Sequence, residues 1–252
     1  MDINRTIQEK LDEIERKENV KILHCIESGS RAWGFESPDS DYDVRFVYVH
    51  DKDWYLSVDS RRDVIEWQLD ETLDINGWDL KKVLQLLYKS NPTVFEWDKS
   101  PIVYRTTPEW GHIRQLLEEY FCPRTMVRHY LGIAANNSRE IAKKDEVKLK
   151  KYFYVLRPLL ACEWILDRNC PPPILFDELK DAYMPAALLS DVNHLLELKK
   201  SAPELGTGRR IDSLNQYIEA KMQQFSSAAD TLPVNSGRSW DSLNDAFRML
   251  VK

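Results

Sequence analysis

Alternating strand patterning in this sequence ends near residue 105, so a sheet has to be built from the first hundred residues and the remainder has to pack as helices. Residues 3–18 carry Ile7, Leu11 and Ile14 at helical spacing, and Lys21-Ile22-Leu23-His24-Cys25-Ile26-Glu27 follows as a short strand. Residues 28–40 hold Gly29, Ser30, Gly34, Ser37, Pro38 and Ser40, a composition of loop or irregular turn. Residues 43–50 are the clearest strand. Val44, Phe46 and Tyr48 share one face and Val47 and Val49 line the other, which predicts a mostly buried central position. Further short strands are expected at 64–67 and 73–78, with Asp70 and Glu71 in a hairpin turn between them. Asp79 stands at the N-cap of a helix over 80–87, Asn91 before Pro92 ends it, and 93–97 is a second short helical stretch.

Beyond residue 105 the pattern predicts helices over 109–121, 124–142, 146–167, 177–182, 184–199, 210–225 and 239–251. Pro171-Pro172-Pro173 breaks this series, Ser201-Ala202-Pro203 and Gly206-Thr207-Gly208 mark a second break, and 226–237 reads as a polar loop. The fold class is α+β, with an α/β domain over 1–105 followed by an all-helical domain over 106–252.

Bulk properties exclude several classes. The longest apolar stretches, such as Leu159-Leu160-Ala161-Cys162, are far too short to span a bilayer, and the N-terminus has no signal-peptide apolar core. A cytoplasmic location with no membrane partner is therefore expected. Cys25, Cys122, Cys162 and Cys170 are scattered with no metal-binding spacing, so reduced, mostly buried thiols are predicted. A net charge of −6 argues against a protein that coats nucleic acid over its whole surface, while leaving room for a local basic patch. No phosphate-binding P-loop, Rossmann fingerprint, nucleophile elbow or zinc-protease helix is present.

The chemistry concentrates in Gly29-Ser30, a short spacer with Gly34, then Ser40-Asp41-Tyr42-Asp43 opening a strand. Two aspartates at i and i+2 on a strand project from one face, so their carboxylates converge and repel unless a cation lies between them. Hard oxygen ligands suit Mg2+ or Mn2+. Gly29 at a strand end lets the backbone approach a ligand closely, so that free N–H groups and the Ser30 hydroxyl can grip a triphosphate. Asp-x-Asp alone is more often solvated surface charge, and Gly-Ser alone is commonplace; their combination with an immediate buried strand is what narrows the reading.

Gly29-Ser30-Arg31-Ala32-Trp33-Gly34 through Ser40-Asp41-Tyr42-Asp43 resembles the signature of the DNA-polymerase-β-like nucleotidyltransferase superfamily. Residues 73–82, Ser90-Asn91-Pro92 with Glu96-Trp97, residues 100–104 and residues 152–158 are similar to one branch, the predicted nucleotidyltransferases of bacterial RNA-repair gene clusters. The resemblance implies a nucleotidyltransferase-type mixed sheet with flanking helices, an NTP substrate, and two-metal in-line transfer that releases pyrophosphate. It implies that Asp41 and Asp43 bind both metals and that a third carboxylate comes from a later strand. Asp74 is the choice, because it stands in an apolar strand where a carboxylate is costly to bury; Glu66, one strand earlier, is the alternative. Gly29, Ser30 and Arg31 would meet the triphosphate, and Arg45 shares the face of Asp43.

In such enzymes a helical domain closes the nucleotide cleft. Lys143, Val147, Lys150, Tyr154, Arg157 and Ala161 fall on one helix face by steps of three or four, so Lys150, Tyr154 and Arg157 make a basic, aromatic stripe suited to nucleotide binding. A solvated cationic face is the competing reading, and Pro158 predicts a kink there. Gly206-Thr207-Gly208-Arg209-Arg210 reads as a flexible loop, with an anion nest at a helix start as the alternative. Basic residues over 124–157 favour an RNA acceptor; a protein or small-molecule acceptor, or a catalytically silent nucleotide sensor, are the alternatives. The sequence does not fix an oligomeric state.

Overall fold

The computed structural model describes residues 2–70, 72–142, 145–201, 206–234 and 237–251. Glu71 of the expected hairpin turn, Lys143 of the stripe, neighbouring Lys144, Ala202 and Pro203 of the second break, and Asn235 and Ser236 of the polar loop lie outside them. The chain divides into two compact units. One combines Met1–Ala32, Asp41–Tyr120 and Gly237–Lys252; the other combines Trp33–Ser40 with Phe121–Ser236.

In the first unit, α1 (Ile3–Glu18), β1 (Lys21–Glu27), α2 (Gly29–Ala32), β2 (Tyr42–Val49), α3 (Lys52–Tyr55), β3 (Val64–Asp70), β4 (Leu73–Asp79), α4 (Leu80–Tyr88), α5 (Pro92–Asp98), β5 (Val103–Thr106) and α6 (Trp110–Tyr120) follow in order. The five strands form one sheet in the order β3-β4-β2-β1-β5. β2 and β4 run parallel, and every other pairing is antiparallel, so the sheet is mixed. β5 has no strand signal in the sequence, because this four-residue edge strand carries the exposed Val103 and shows no alternation in burial.

One face of the sheet is closed by α1. Its stripe of Ile7, Leu11 and Ile14 is fully buried against Ile22, Cys25, Val44, Phe46, Tyr48 and Ile75. Burial of each such side chain stabilises by about 1.5–3 kcal/mol relative to exposure, before any entropy is charged against it. Asp2 caps α1 by accepting from the Asn4 N–H, and Asn19 ends it in the left-handed conformation.

The second unit contains α7 (Pro123–Ala142), β6 (Glu146–Lys148), α8 (Lys150–Arg168), α9 (Phe176–Tyr183), α10 (Ala186–Ser201), β7 (Thr207–Arg209) and α11 (Asp212–Thr231), after which α12 (Asp241–Leu250) returns to the first unit. The sheet unit thus also takes in residues 106–120 and α12, which a division at residue 105 leaves with the helices. α6 buries Trp110, Ile113, Leu117 and Tyr120, and Phe247 of α12 meets Tyr55 edge-on. A helical period shows that a face is buried, not which distant element buries it.

Three local expectations need correction. Thr207-Gly208-Arg209 is neither loop nor anion nest: its backbone pairs with Glu146–Lys148 in a two-stranded ladder. β6 also takes Val147 out of the helix, so the stripe on α8 begins at Lys150. Residues 226–231 are helical rather than loop, because Phe225 and Ala229 give the end of α11 a buried face. Among the described residues, all four cysteines are free, with Cys170 partly exposed, and no helix is long and apolar enough to cross a membrane.

Asp79 joins β4 to α4. It is buried, caps the helix by accepting from the Lys81 N–H, and accepts from Tyr55 Oη at 2.7 Å. Burial is the main cause that pushes its carboxyl up to about 6 from 3.8; the nearby Asp63 adds to the rise, while the Tyr55 and Lys81 contacts oppose it. A carboxyl raised in the fold keeps a proton that the unfolded chain has already released, so its contribution to stability falls as pH rises from about 4 through about 6. Asp79→Asn retains a capping acceptor without the titration. Urea unfolding of both proteins should therefore show the wild type losing ground to the variant across that window, with a constant difference above pH 7.

Candidate carboxylate site

The site begins where β1 ends. Gly29 takes a left-handed φ of +62°, which turns the chain out of the strand and into the single turn of α2, carrying Ser30 and Arg31. A Cβ on Gly29 would lie 2.1 Å from Asp43 Oδ2, so glycine is required both by the backbone angle and by the carboxylate packed against it. Ser30 is half-buried in α2. Arg31 reaches forward: its Nε donates to the Asp41 carbonyl at 3.2 Å and its guanidinium lies 3.8 Å above the Tyr42 ring. Asp41 is exposed and immediately precedes β2.

Parallel pairing of β2 with β4 places Asp43 directly beside Asp74, and Arg45 beside Asn76. One Arg45 nitrogen donates to both carboxylates, at 2.9 Å to Asp43 Oδ1 and 2.8 Å to Asp74 Oδ2. Arg45 is therefore the balancing cation on the face of Asp43. Asp43 has its carboxyl raised, first by burial and then by Asp74 and Asp41, with Arg45 acting in the opposite sense. The reason given for Asp74 does not hold, since its side chain is 53% exposed; what brings it to the site is its register opposite Asp43. Glu66 pairs with Asn76 on β3 and is held by Arg62 at 2.8 Å, one strand further from Asp43 than Asp74 is.

Among the described residues, no three His, Cys, Asp or Glu side chains surround a common point fit for a metal ion. The donor chemistry does fit one: the carboxylates are hard oxygen ligands, and the Arg45 guanidinium already marks a point where Asp43 and Asp74 hold a positive charge together.

Sequence reasoning missed Glu27. It is fully buried, its Oε1 accepts from the Asp43 N–H at 2.7 Å, and its Oε2 accepts from Tyr104 Oη. Burial pushes its carboxyl up to about 7, opposed by those two hydrogen bonds. The available signal was an acidic residue closing a mostly apolar strand, Ile22 to Ile26 with only His24 polar, immediately before Ser28-Gly29.

Within the second unit, Arg157 and Tyr154 meet around Trp33. The Arg157 guanidinium lies 4.5 Å from the Trp33 ring centre, its Nε donates to the Ile174 carbonyl at 3.3 Å, and Tyr154 meets Trp33 edge-on. Arg157 is only 5% exposed, whereas Lys150 and Tyr154 are half-buried. The stripe is thus neither uniformly basic at its surface nor a solvated face throughout.

A mixed sheet that sets the Gly29 turn against Asp43, with Asp74 on the adjoining strand, is consistent with the class of polymerase-β-like nucleotidyltransferases, to which the family match assigns the chain. The chain belongs to the RNA repair pathway DNA polymerase beta family, whose model matches residues 3–249. It is 44% identical over 246 residues to a Bacillus subtilis (strain 168) protein bearing the name uncharacterized protein YcgL, covering 96% of this chain and 94% of that one. A crystal structure of a nucleotidyltransferase-like protein from Exiguobacterium sibiricum matches over 92% of this chain and 76% of its own, with 10% identity and a TM-score of 0.37. That likeness is too distant to carry a residue across.

Gly29→Ala should lower stability by about 1–2 kcal/mol from the left-handed backbone alone, and further through overlap with Asp43. Gly111→Ala is the control, since nothing lies within 4 Å of its added Cβ; it should be neutral or stabilise α6 by up to ~1 kcal/mol. Thermal melts should place the Gly29 variant below the wild type and the Gly111 variant at or above it.

Proposed function

We propose that the protein transfers a nucleoside monophosphate from an NTP to a hydroxyl acceptor on RNA and releases pyrophosphate. The observation that carries this reading is the register of Asp43 against Asp74 on adjacent parallel strands, with the Asp43 carboxylate lying against the backbone of Gly29. Asp41, Asp43 and Asp74 would hold Mg2+ or Mn2+; such ions, when bound, neutralise the phosphates and activate the attacking hydroxyl.

The chain's own residues have distinct parts in this scheme. Arg45 bridges Asp43 and Asp74 while they hold no ligand, and its side chain has to release both for them to turn to a metal. Gly29 and Ser30 would offer backbone N–H groups and a hydroxyl to the triphosphate, with Arg31 as the nearby cation. From the second unit, Lys150 and Tyr154 are the proposed nucleotide contacts. Arg157, buried on Trp33, serves the nucleotide by fixing the segment that continues the Gly-Ser turn. The division of labour is a catalytic sheet unit and a helical unit that helps to bind the nucleotide.

The description of the family supports RNA as acceptor. The basic residues of α7 and α8 support it less, since Arg128 is paired with Asp230 and Lys151 with Glu140.

Purified protein should release pyrophosphate from at least one NTP in the presence of Mg2+ or Mn2+, label bulk RNA when the NTP is labelled on its α-phosphate, and stop when EDTA is added. Asp43→Asn and Asp74→Asn should each lower the rate by at least on the order of a hundredfold, beyond the cost typical of losing an outer-shell partner. Release of no pyrophosphate from any NTP, or wild-type rates in both variants, refutes the reading. Transfer to protein with none to RNA would move the acceptor, not the chemistry.

A further inference from the structure

We infer that Glu27 is the positioning residue of the carboxylate site: its buried side chain takes the place of a main-chain acceptor for the Asp43 N–H and so sets where the Asp43 carboxylate points. The inference rests on the nucleotidyltransferase reading of that carboxylate.

The ladder between β1 and β2 explains the need for such a residue. Glu27 is the last residue of β1 and stands opposite Val44. One step on, the Ser28 N–H donates to the Asp43 carbonyl at 2.8 Å, but the Asp43 N–H does not complete the pair with the chain of β1. It turns to Glu27 Oε1 at 2.7 Å, because Gly29 has already taken the backbone out of the strand. Asp43 is thus held from two sides, by Ser28 and Glu27, at the level where its Oδ2 lies against Gly29.

Glu27 is itself fixed at four polar points. Its N–H donates to the Ile102 carbonyl at 2.9 Å and its carbonyl accepts from Ser100 Oγ at 2.6 Å. Its two carboxylate oxygens accept from the Asp43 N–H and from Tyr104 Oη. Two donors converge on the carboxylate, which is the arrangement that calls for an acceptor-only group. The face matters as well. Opposite Val44, Glu27 belongs with the α1-covered side of the sheet, whereas the Asp43 side chain, one residue out of phase, projects from the other side. Glu27 therefore acts on the site through the Asp43 backbone and does not compete for the cation.

The test reads Mn2+ binding by electron paramagnetic resonance, alongside a thermal melt for each protein. Glu27→Leu removes the acceptor and should weaken Mn2+ binding by roughly tenfold to a hundredfold, the range for an outer-shell partner of a metal ligand. Glu27→Gln keeps an oxygen for the Asp43 N–H and should recover most of the affinity; a purely structural role would move the melting temperature of the variants and leave the affinity of folded protein at wild-type level. Tyr104→Phe preserves the packing and releases only Oε2, so it should weaken binding by a smaller factor of about three to ten, within the worth of one hydrogen bond. It also decides the matter if Glu27→Leu does not fold. Unchanged Mn2+ affinity in folded Glu27→Leu, or in Tyr104→Phe where the leucine variant fails to fold, overturns the inference. Asp43→Asn separates this failure from that of the underlying reading: if wild-type protein binds no Mn2+, or Asp43→Asn binds it as well as wild type does, the metal-dependent assignment falls and Glu27 falls with it.

Discussion

The parallel pairing of β2 with β4 is the constraint on which the site depends. Every other contact in the sheet is antiparallel and joins strands whose hydrophobic faces determine their register. The parallel pair brings Asp43 level with Asp74, although 30 intervening residues, including β3, separate them in sequence. A slip of one residue would turn Ile75 out of the core that α1 closes and would carry Asp74 to the opposite face. The buried positions Val44, Phe46, Leu73 and Ile75 therefore hold the carboxylates in place as firmly as any polar contact does.

That geometry creates an electrostatic problem which Arg45 solves locally. Asp43 is partly buried beside two other aspartates, and both burial and those neighbours favour its neutral form. One guanidinium nitrogen placed between Asp43 and Asp74 offsets the repulsion without a metal. Arg45 and Asp43 are only partly exposed while Asp74 stands more open, so the bridge is neither a surface pair nor a fully buried one.

How much of this could be read from the sequence follows the range of each signal. Local period and capping gave α1, β1, β2 and α4 nearly to the residue, since Ile7, Leu11 and Ile14, the alternation of 43–50 and Asp79 are all short-range features. Gly29 and the neighbourhood of Asp41 and Asp43 were legible for the same reason. Asp74 was selected for burial and is instead exposed; its place follows from strand pairing, which sequence spacing does not encode. Glu27 was missed because its role is to replace a backbone acceptor, a need that arises only once the left-handed turn at Gly29 and the edge strand β5 are known. The stripe on α8 shows the same limit, since helical spacing aligned Lys150 with Arg157 but could not show that Trp33 covers Arg157.

Trp33 also changes what the spacer between Gly-Ser and Asp-x-Asp means. The sequence presents residues 28–40 as largely loop or irregular turn, with nothing that ties down the stretch from Trp33 to Ser40. Instead the segment packs within the second unit: Phe35 stacks on Phe153 and meets Phe176 edge-on, the Trp33 carbonyl accepts from the Phe176 N–H at 2.9 Å, and Ser37 and Ser40 close a turn through their hydroxyls. The motif therefore leaves the sheet unit after Ala32 and rejoins it at Asp41, with both of its chemical ends in one unit and its middle anchored in the other. A spacer of the same length built from polar residues would satisfy the sequence pattern without the packing that Trp33 and Phe35 give this segment within the second unit.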